Sequence, residues 1–115
     1  MTVPAAVSRI DTFKVPPNAR DELLQNVRLT LKALSSVPDF VSGEILSSTD
    51  NGAPTVVTIV RWRDLSSMSQ ARHVVMAVHA KHGFDAAKFY ERHNIRLDRA
   101  DYAESETYSP ASEAK

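Results

Sequence analysis

TVVTIVRWR, residues Thr55–Arg63, is the most strongly β-forming segment of the chain. Its first six residues are all β-branched, and such residues favour extended backbone. Successive side chains of a strand point to opposite faces, so both faces of this segment are apolar. A strand of this kind is typical of the centre of a sheet that is covered on both sides. We therefore predict a central strand here.

An Asn51-Gly52 pair precedes this strand. Asn-Gly between two apolar runs is the strongest short-range signal of a β-hairpin. The sequence therefore predicts that an earlier strand, Phe40–Ser48, pairs with the central strand.

A helix is predicted ahead of this hairpin. Asn18 is a good N-cap residue, and the helix that it begins reaches about Ser35. Apolar residues recur at helical spacing and form one stripe that faces the core. The stripe consists of Leu23, Leu24, Val27, Leu31 and Leu34.

Two further helices are predicted after the hairpin. Asp64 is expected to cap the first of them, which ends near Gly83, because glycine readily adopts the left-handed conformation that ends helices. Asp85 is expected to cap a shorter one, Ala86–His93.

The first and last strands in sequence are predicted over Ala6–Val15 and from Ile95 to about Glu104. The order β-α-β-β-α-(α)-β is that of an α+β, ferredoxin-like split βαβ fold with an antiparallel sheet. We expect one domain over residues 1–104 and a polar C-terminal tail over residues 105–115.

Composition argues against several classes of function. Lys+Arg and Asp+Glu number 14 each, which gives no basic excess for binding nucleic acid. No apolar run is long enough to span a membrane, and the absence of cysteine fits a cytoplasmic protein. Neither a phosphate-binding glycine loop nor a metal-binding motif occurs, so we expect no cofactor and no metal.

Three segments together resemble the antibiotic biosynthesis monooxygenase family of the dimeric α/β-barrel superfamily. They are Ile10–Pro17 before a helix, Val37–Gly43 leading into a strand, and Val57–Asp64, where an apolar strand ends in tryptophan before a helix cap. The resemblance implies a homodimer whose two sheets face each other, with a pocket between sheet and helices in each subunit. It also implies oxidation of aromatic, polyketide-like compounds by O₂ without flavin, haem or metal.

Trp62 and Thr58 are candidate catalytic residues. Residues four apart on a strand share a face, so both can point at one substrate. The family's tryptophan is partnered by an asparagine at the position of Thr58, and threonine offers a hydroxyl in place of the amide. The alternative for Trp62 is a role in core and dimer packing.

His79 and His82, three apart on the second long helix, are candidates for the general base. The alternative is a solvated or structurally hydrogen-bonded histidine. Asp11, Met68 and Tyr90 are candidate substrate-binding residues. Asp11 alternatively forms a cross-strand or inter-subunit ion pair.

The sequence thus favours a cofactor-independent monooxygenase that acts on a small aromatic molecule with O₂. Two alternatives remain open: a non-catalytic dimeric ligand-binding or stress-response module, and an isomerase or cyclase of the same superfamily. Thr58 in place of asparagine is the reason to keep the first, and the second would use a histidine as acid and base without O₂.

Overall fold

The predicted order of strands and helices is present in the computed structural model, which describes residues 7–48, 54–103, 106 and 108–111. The α+β, ferredoxin-like prediction is confirmed. The elements of the described part are β1 (Val7–Lys14), a 3₁₀ turn (Pro17–Ala19), α1 (Arg20–Leu34), β2 (Phe40–Ser47), β3 (Thr55–Trp62), α2 (Ser67–Lys81), α3 (Ala86–Arg92) and β4 (Arg96–Ala103).

The sheet has the strand order β2-β3-β1-β4, and all neighbouring strands are antiparallel. β3 therefore lies inside the sheet, as its composition predicts. In this register, Asp11 of β1 stands opposite Thr58 of β3 on one side and Arg99 of β4 on the other. The register thus places β1 between the central strand β3 and the last described strand, β4.

The two faces of the sheet differ in cover. Along β3, Val56, Thr58, Val60 and Trp62 are buried, whereas the alternate residues are only half-buried. None of the described helices covers that second face. The prediction that β3 is covered on both sides therefore holds for one face of the single chain.

The core consists of two clusters on the helical side of the sheet. The larger one joins Leu23 of α1 and Phe89 of α3 to Val56, and these side chains are almost completely buried. The smaller one includes Leu34, Val60 and Trp62. Apolar burial of this kind is the main stabilising contribution to folding.

Two of the predicted helix caps are wrong. The chain passes through the 3₁₀ turn before α1 begins, so Asn18 lies within that turn and Ala19 occupies the N-cap. Asp64 lies too early to cap α2, whose N-cap is Ser66; its carboxylate instead accepts the backbone N–H of Ser66 and holds the preceding turn.

The third cap is confirmed, since the Asp85 carboxylate accepts the backbone N–H of Lys88 in the first turn of α3. The predicted Asn51-Gly52 turn lies outside the described residues, as does much of the predicted tail. The boundary between domain and tail stays a prediction. Among the described residues, no helix is long and apolar enough to cross a membrane.

Replacing Gly83 tests the end of α2. Gly83 has φ +65, and a Cβ there would meet nothing within 4 Å, so only backbone strain opposes a side chain. We expect Gly83→Ala to lower the free energy of unfolding by roughly 1 kcal/mol in urea denaturation. Gly83→Asn is the control and should cost less, because asparagine tolerates this conformation. Equal stability of Gly83→Ala and the wild type would contradict the strain.

Candidate functional site

A cavity of about 870 Å³ lies between the helical face of the sheet and helices α1 and α2. Its walls are mostly apolar, and a small number of charged and polar groups converge on it. Cavities of roughly 300–1,000 Å³ with this character are typical of small-molecule sites. The cavity is therefore the candidate functional site.

Unequal packing of the two long helices accompanies this cavity. α1 buries Leu23, Leu24, Val27 and Leu34, whereas α2 buries only Ser67 and Ala71. The sheet residues that line the cavity include charged groups of β1 and β4. Charged side chains offer a helix no apolar surface to bury, so the space between them and α2 remains open.

Two bidentate ion pairs join β1 to β4 on this face. The Arg99 guanidinium donates to Asp11 over 2.8 and 2.9 Å, and that of Arg9 donates to Asp101 over 2.8 and 3.0 Å. Asp11 is only 9% exposed, so its charge needs a partner within the protein, and the Arg99 guanidinium provides it. The cross-strand ion pair considered for Asp11 is thus present, within one chain and with Arg99.

Thr58 and Trp62 both line the cavity, as residues four apart on one strand should. Thr58 is buried beside Asp11. The Trp62 ring packs edge-on against Phe40 at 5.7 Å between centroids and is 2% exposed. Trp62 therefore belongs to the core and also forms part of the cavity wall.

His79 lines the cavity and is held by a hydrogen-bond chain between α2 and α1. Its Nε2 lies 2.8 Å from Oγ1 of Thr30, and that hydroxyl donates to the carbonyl of Asn26, also at 2.8 Å. A hydroxyl has one hydrogen, so both contacts form at once when Nε2 carries the proton and donates to Oγ1, which leaves the lone pair of a neutral ring on Nδ1. The network therefore favours the tautomer in which Nδ1 can accept a proton.

The pKa of His79 is lowered, first by burial and then by the neighbouring His82. A lowered pKa keeps this imidazole neutral near pH 7, in the form that a general base requires.

His82 lies outside the cavity lining. It occupies the exposed C-cap of α2, where its Nδ1–H donates to the carbonyl of Val78 at 3.0 Å. The structure therefore does not bring His82 together with the other candidates, because the helix ends just before it and its ring folds back on the last turn.

Met68 and Tyr90 also line the cavity. Tyr90 packs against Phe13 with 5.9 Å between ring centroids. Burial and the Asp11 carboxylate raise the pKa of Tyr90, and Arg99 partly opposes them. Its hydroxyl therefore stays protonated and can donate a hydrogen bond.

Sequence reasoning did not find Arg99, Arg72 or Thr30, which also line the cavity. Arg99 and Asp101 are two apart on β4 and so share a face, which the sequence indicates. The partner of Arg99, Asp11, is 88 positions away. Only the strand register brings them together. Within the described part of the chain, no group of three or more His, Cys, Asp or Glu side chains could hold a metal ion.

Comparison with known proteins finds likeness in structure alone. No protein-family model and no curated protein matches the sequence. SnoaB, a cofactor-independent oxygenase from Streptomyces nogalater, is 17% identical with a TM-score of 0.69, over 90% of this chain and 97% of its own. A provisionally named antibiotic biosynthesis monooxygenase from Deinococcus radiodurans is 17% identical with a TM-score of 0.63, over the same shares.

The chain has their fold. It is the fold that the resemblance to antibiotic biosynthesis monooxygenases implies. A de novo designed protein, 13% identical over 89% of this chain and 100% of its own, shares the fold as well, with a TM-score of 0.58. The fold therefore does not assign a reaction, and function must be argued from the cavity.

The pKa of His79 gives a test of this geometry. In an NMR titration we expect the His79 imidazole to titrate below the ordinary value of 6.5. His82→Ala should move that midpoint only part of the way back to 6.5, because burial, the larger cause of the lowered pKa, remains. His73→Ala, at an exposed position of α2, is the control and should leave it unchanged. A midpoint at or above 6.5 would show that the ring is not desolvated.

Proposed function

We propose that this protein is a cofactor-independent monooxygenase that oxidises a small aromatic, polyketide-like compound with O₂. The observation that carries the proposal is a half-buried imidazole, His79, hydrogen-bonded to Thr30 at the wall of a largely apolar cavity, where burial lowers its pKa. The shared fold with SnoaB supports it.

His79 Nδ1 is the proposed base. It removes a proton from an acidic carbon of an electron-rich ring system, such as the methylene group of an anthrone. A positioned base contributes typically 10²–10⁴-fold, that is, about two to four orders of magnitude in rate. Thr30 is a positioning residue, since its hydroxyl accepts the Nε2–H and keeps the lone pair on Nδ1.

The resulting carbanion supplies the electrons for the reaction. One electron passes to O₂, and the substrate radical and superoxide then combine to form a C–O bond. The peroxide takes the proton from His79 and becomes a hydroperoxide. Loss of the second C–H proton and cleavage of the O–O bond give a carbonyl and water, so one CH₂ group and O₂ become one C=O group and H₂O.

Other residues stabilise the anion and exclude water. In the proposal Thr58 donates a hydrogen bond to the substrate oxyanion, and Trp62, Met68 and Tyr90 bound the ring system. A donor held in place before the reaction costs no reorganisation when charge develops. Since His82 lies outside the cavity lining, it has no part in this mechanism.

The alternatives are a non-catalytic binding module and an isomerase or cyclase that uses the same His79 without O₂. The buried threonine at position 58 favours the binding module, because a single hydroxyl provides fewer hydrogen bonds to an oxyanion than an amide partner.

Oxygen uptake with anthrone and dihydroxynaphthalenes, corrected for uptake without protein, tests the proposal. We expect wild-type protein to consume O₂ and His79→Gln to lower kcat about 100-fold, because the base is lost. His73→Ala is the matched control and should retain activity. Loss of activity in His82→Ala but not in His79→Gln would overturn the assignment of the base. No uptake by folded wild-type protein would favour the alternatives.

We further propose that two copies pair through the open face of the sheet, as the family resemblance implies. On this face Ile10 stands opposite Ile59, and Leu46 stands opposite Val57. Leu46 is 48% exposed and Tyr102 is 54% exposed in the single chain. Contiguous apolar surface of this kind marks an interaction site, and a second copy offers a self-complementary partner for it.

Light scattering coupled to gel filtration tests the pairing. We expect wild-type protein at twice the chain mass of 12.7 kDa and Ile59→Asp at the monomer mass, because a carboxylate would be desolvated between the sheets. Leu65→Asp, at an exposed position just before α2, is the control and should remain dimeric. A wild-type monomer would contradict the proposal.

A further inference from the structure

The cavity is lined by more cationic than anionic groups. Three guanidinium groups, those of Arg9, Arg72 and Arg99, line it together with one carboxylate, that of Asp11. Arg9 is paired with Asp101 and Arg99 with Asp11, so the excess is one positive charge, and a neutral aromatic substrate gives no reason for it beside apolar walls. The cations therefore point to a ligand with an anionic group.

Of the two ion pairs, the one between Asp11 and Arg99 exposes its cation. The side chain of Asp11 is 12% exposed, whereas that of Arg99 is 50% exposed. In the other pair, Arg9 and Asp101 are exposed to similar extents, 33% and 39%, so its acid offsets its cation. Arg99 is thus the better candidate for contact with an anion.

Arg99 also retains donors for a ligand. Its Nε and Nη2 bind Asp11, and within the described part of the chain nothing accepts a hydrogen bond from Nη1. Bidentate pairing with a buried carboxylate holds the guanidinium plane in place, so Nη1 is oriented before a ligand arrives. A planar guanidinium fork suits a carboxylate group.

Two further donors lie on the same cavity. The Tyr90 hydroxyl stays protonated and lies close enough to Arg99 and Asp11 for their charges to act on it. Arg72, on the exposed side of α2, has no hydrogen-bond or ion-pair partner among the described residues. Apolar side chains such as Phe13 and Leu97 line the cavity beside them.

We propose that the cavity binds an aromatic carboxylate, whose carboxylate group accepts hydrogen bonds from Nη1 of Arg99 and from Tyr90, with Arg72 adding charge at the rim. The aromatic body of the ligand lies against the apolar walls. This proposal narrows the substrate class of the monooxygenase proposed above and rests on the same cavity. It requires binding only, so it can be tested without turnover.

Calorimetric titration of the full chain with three probes at neutral pH tests it. The probes are 2-naphthoate, its uncharged analogue 2-naphthamide, and 2-naphthol. We expect naphthoate to bind about tenfold more tightly than naphthamide, because a charge-assisted hydrogen bond is roughly twice as strong as a neutral one. Tighter binding of naphthol than of naphthoate would indicate a site for a phenol and overturn the carboxylate assignment.

Arg99→Gln should abolish most of the preference for naphthoate and leave the affinity for naphthamide nearly unchanged. Arg28→Gln, on the exposed side of α1 and outside the cavity lining, is the matched control. Arg99→Gln leaves the Asp11 charge without its partner and is expected to be less stable. The double variant Asp11→Asn/Arg99→Gln removes both charges and repeats the test in a stable background.

A preference that survives in both Arg99 variants would overturn the proposal, as would equal affinity of wild-type protein for naphthoate and naphthamide or no binding of either. Selective naphthoate binding without any oxygen uptake would keep the carboxylate site and remove the proposed reaction. Oxygen uptake by a protein that does not prefer naphthoate to naphthamide would keep the proposed reaction and remove the carboxylate site.

Discussion

The ion pair between Asp11 and Arg99 is the constraint on which the candidate site depends. It places a buried carboxylate in the middle of the sheet, on the face where apolar residues would otherwise meet helix α2. Replacing such a pair with apolar residues is often neutral or stabilising in other proteins, so stability alone does not explain it. Its consequence here is a charged, open space beneath α2, where a ligand can reach both the guanidinium and the apolar walls.

The two long helices contribute unequally to the hydrophobic core. α1 closes the core against the sheet with four buried apolar residues, and α2 contributes few. The hydrogen bond from His79 to Thr30 ties the loosely packed helix to the well-packed one. The same contact therefore orients the candidate base and holds α2 over the cavity.

Local features of the fold were predictable from the sequence, because they depend on neighbouring residues. The β-branched run of β3, the glycine that ends α2 and the cap at Asp85 are examples. The caps at Asn18 and Asp64 were predicted wrongly, because a 3₁₀ turn and a side-chain-stabilised turn delay the start of each helix. Which histidine lines the cavity, and which arginine meets Asp11, depend on helix facing and strand register, which short-range patterns do not contain.

The pairing of β1 with β4 also has a consequence for synthesis of the chain. Asp11 and Arg99 are 88 positions apart, so within this domain the β1 half of the cavity floor is synthesised well before the β4 half. Bringing residues this distant together closes a long loop, and non-local pairings of this kind slow folding. A nascent chain that ends before β4 carries an unpaired edge at β1 and a carboxylate without its arginine. The ligand site therefore comes into being only when translation of the domain is almost finished.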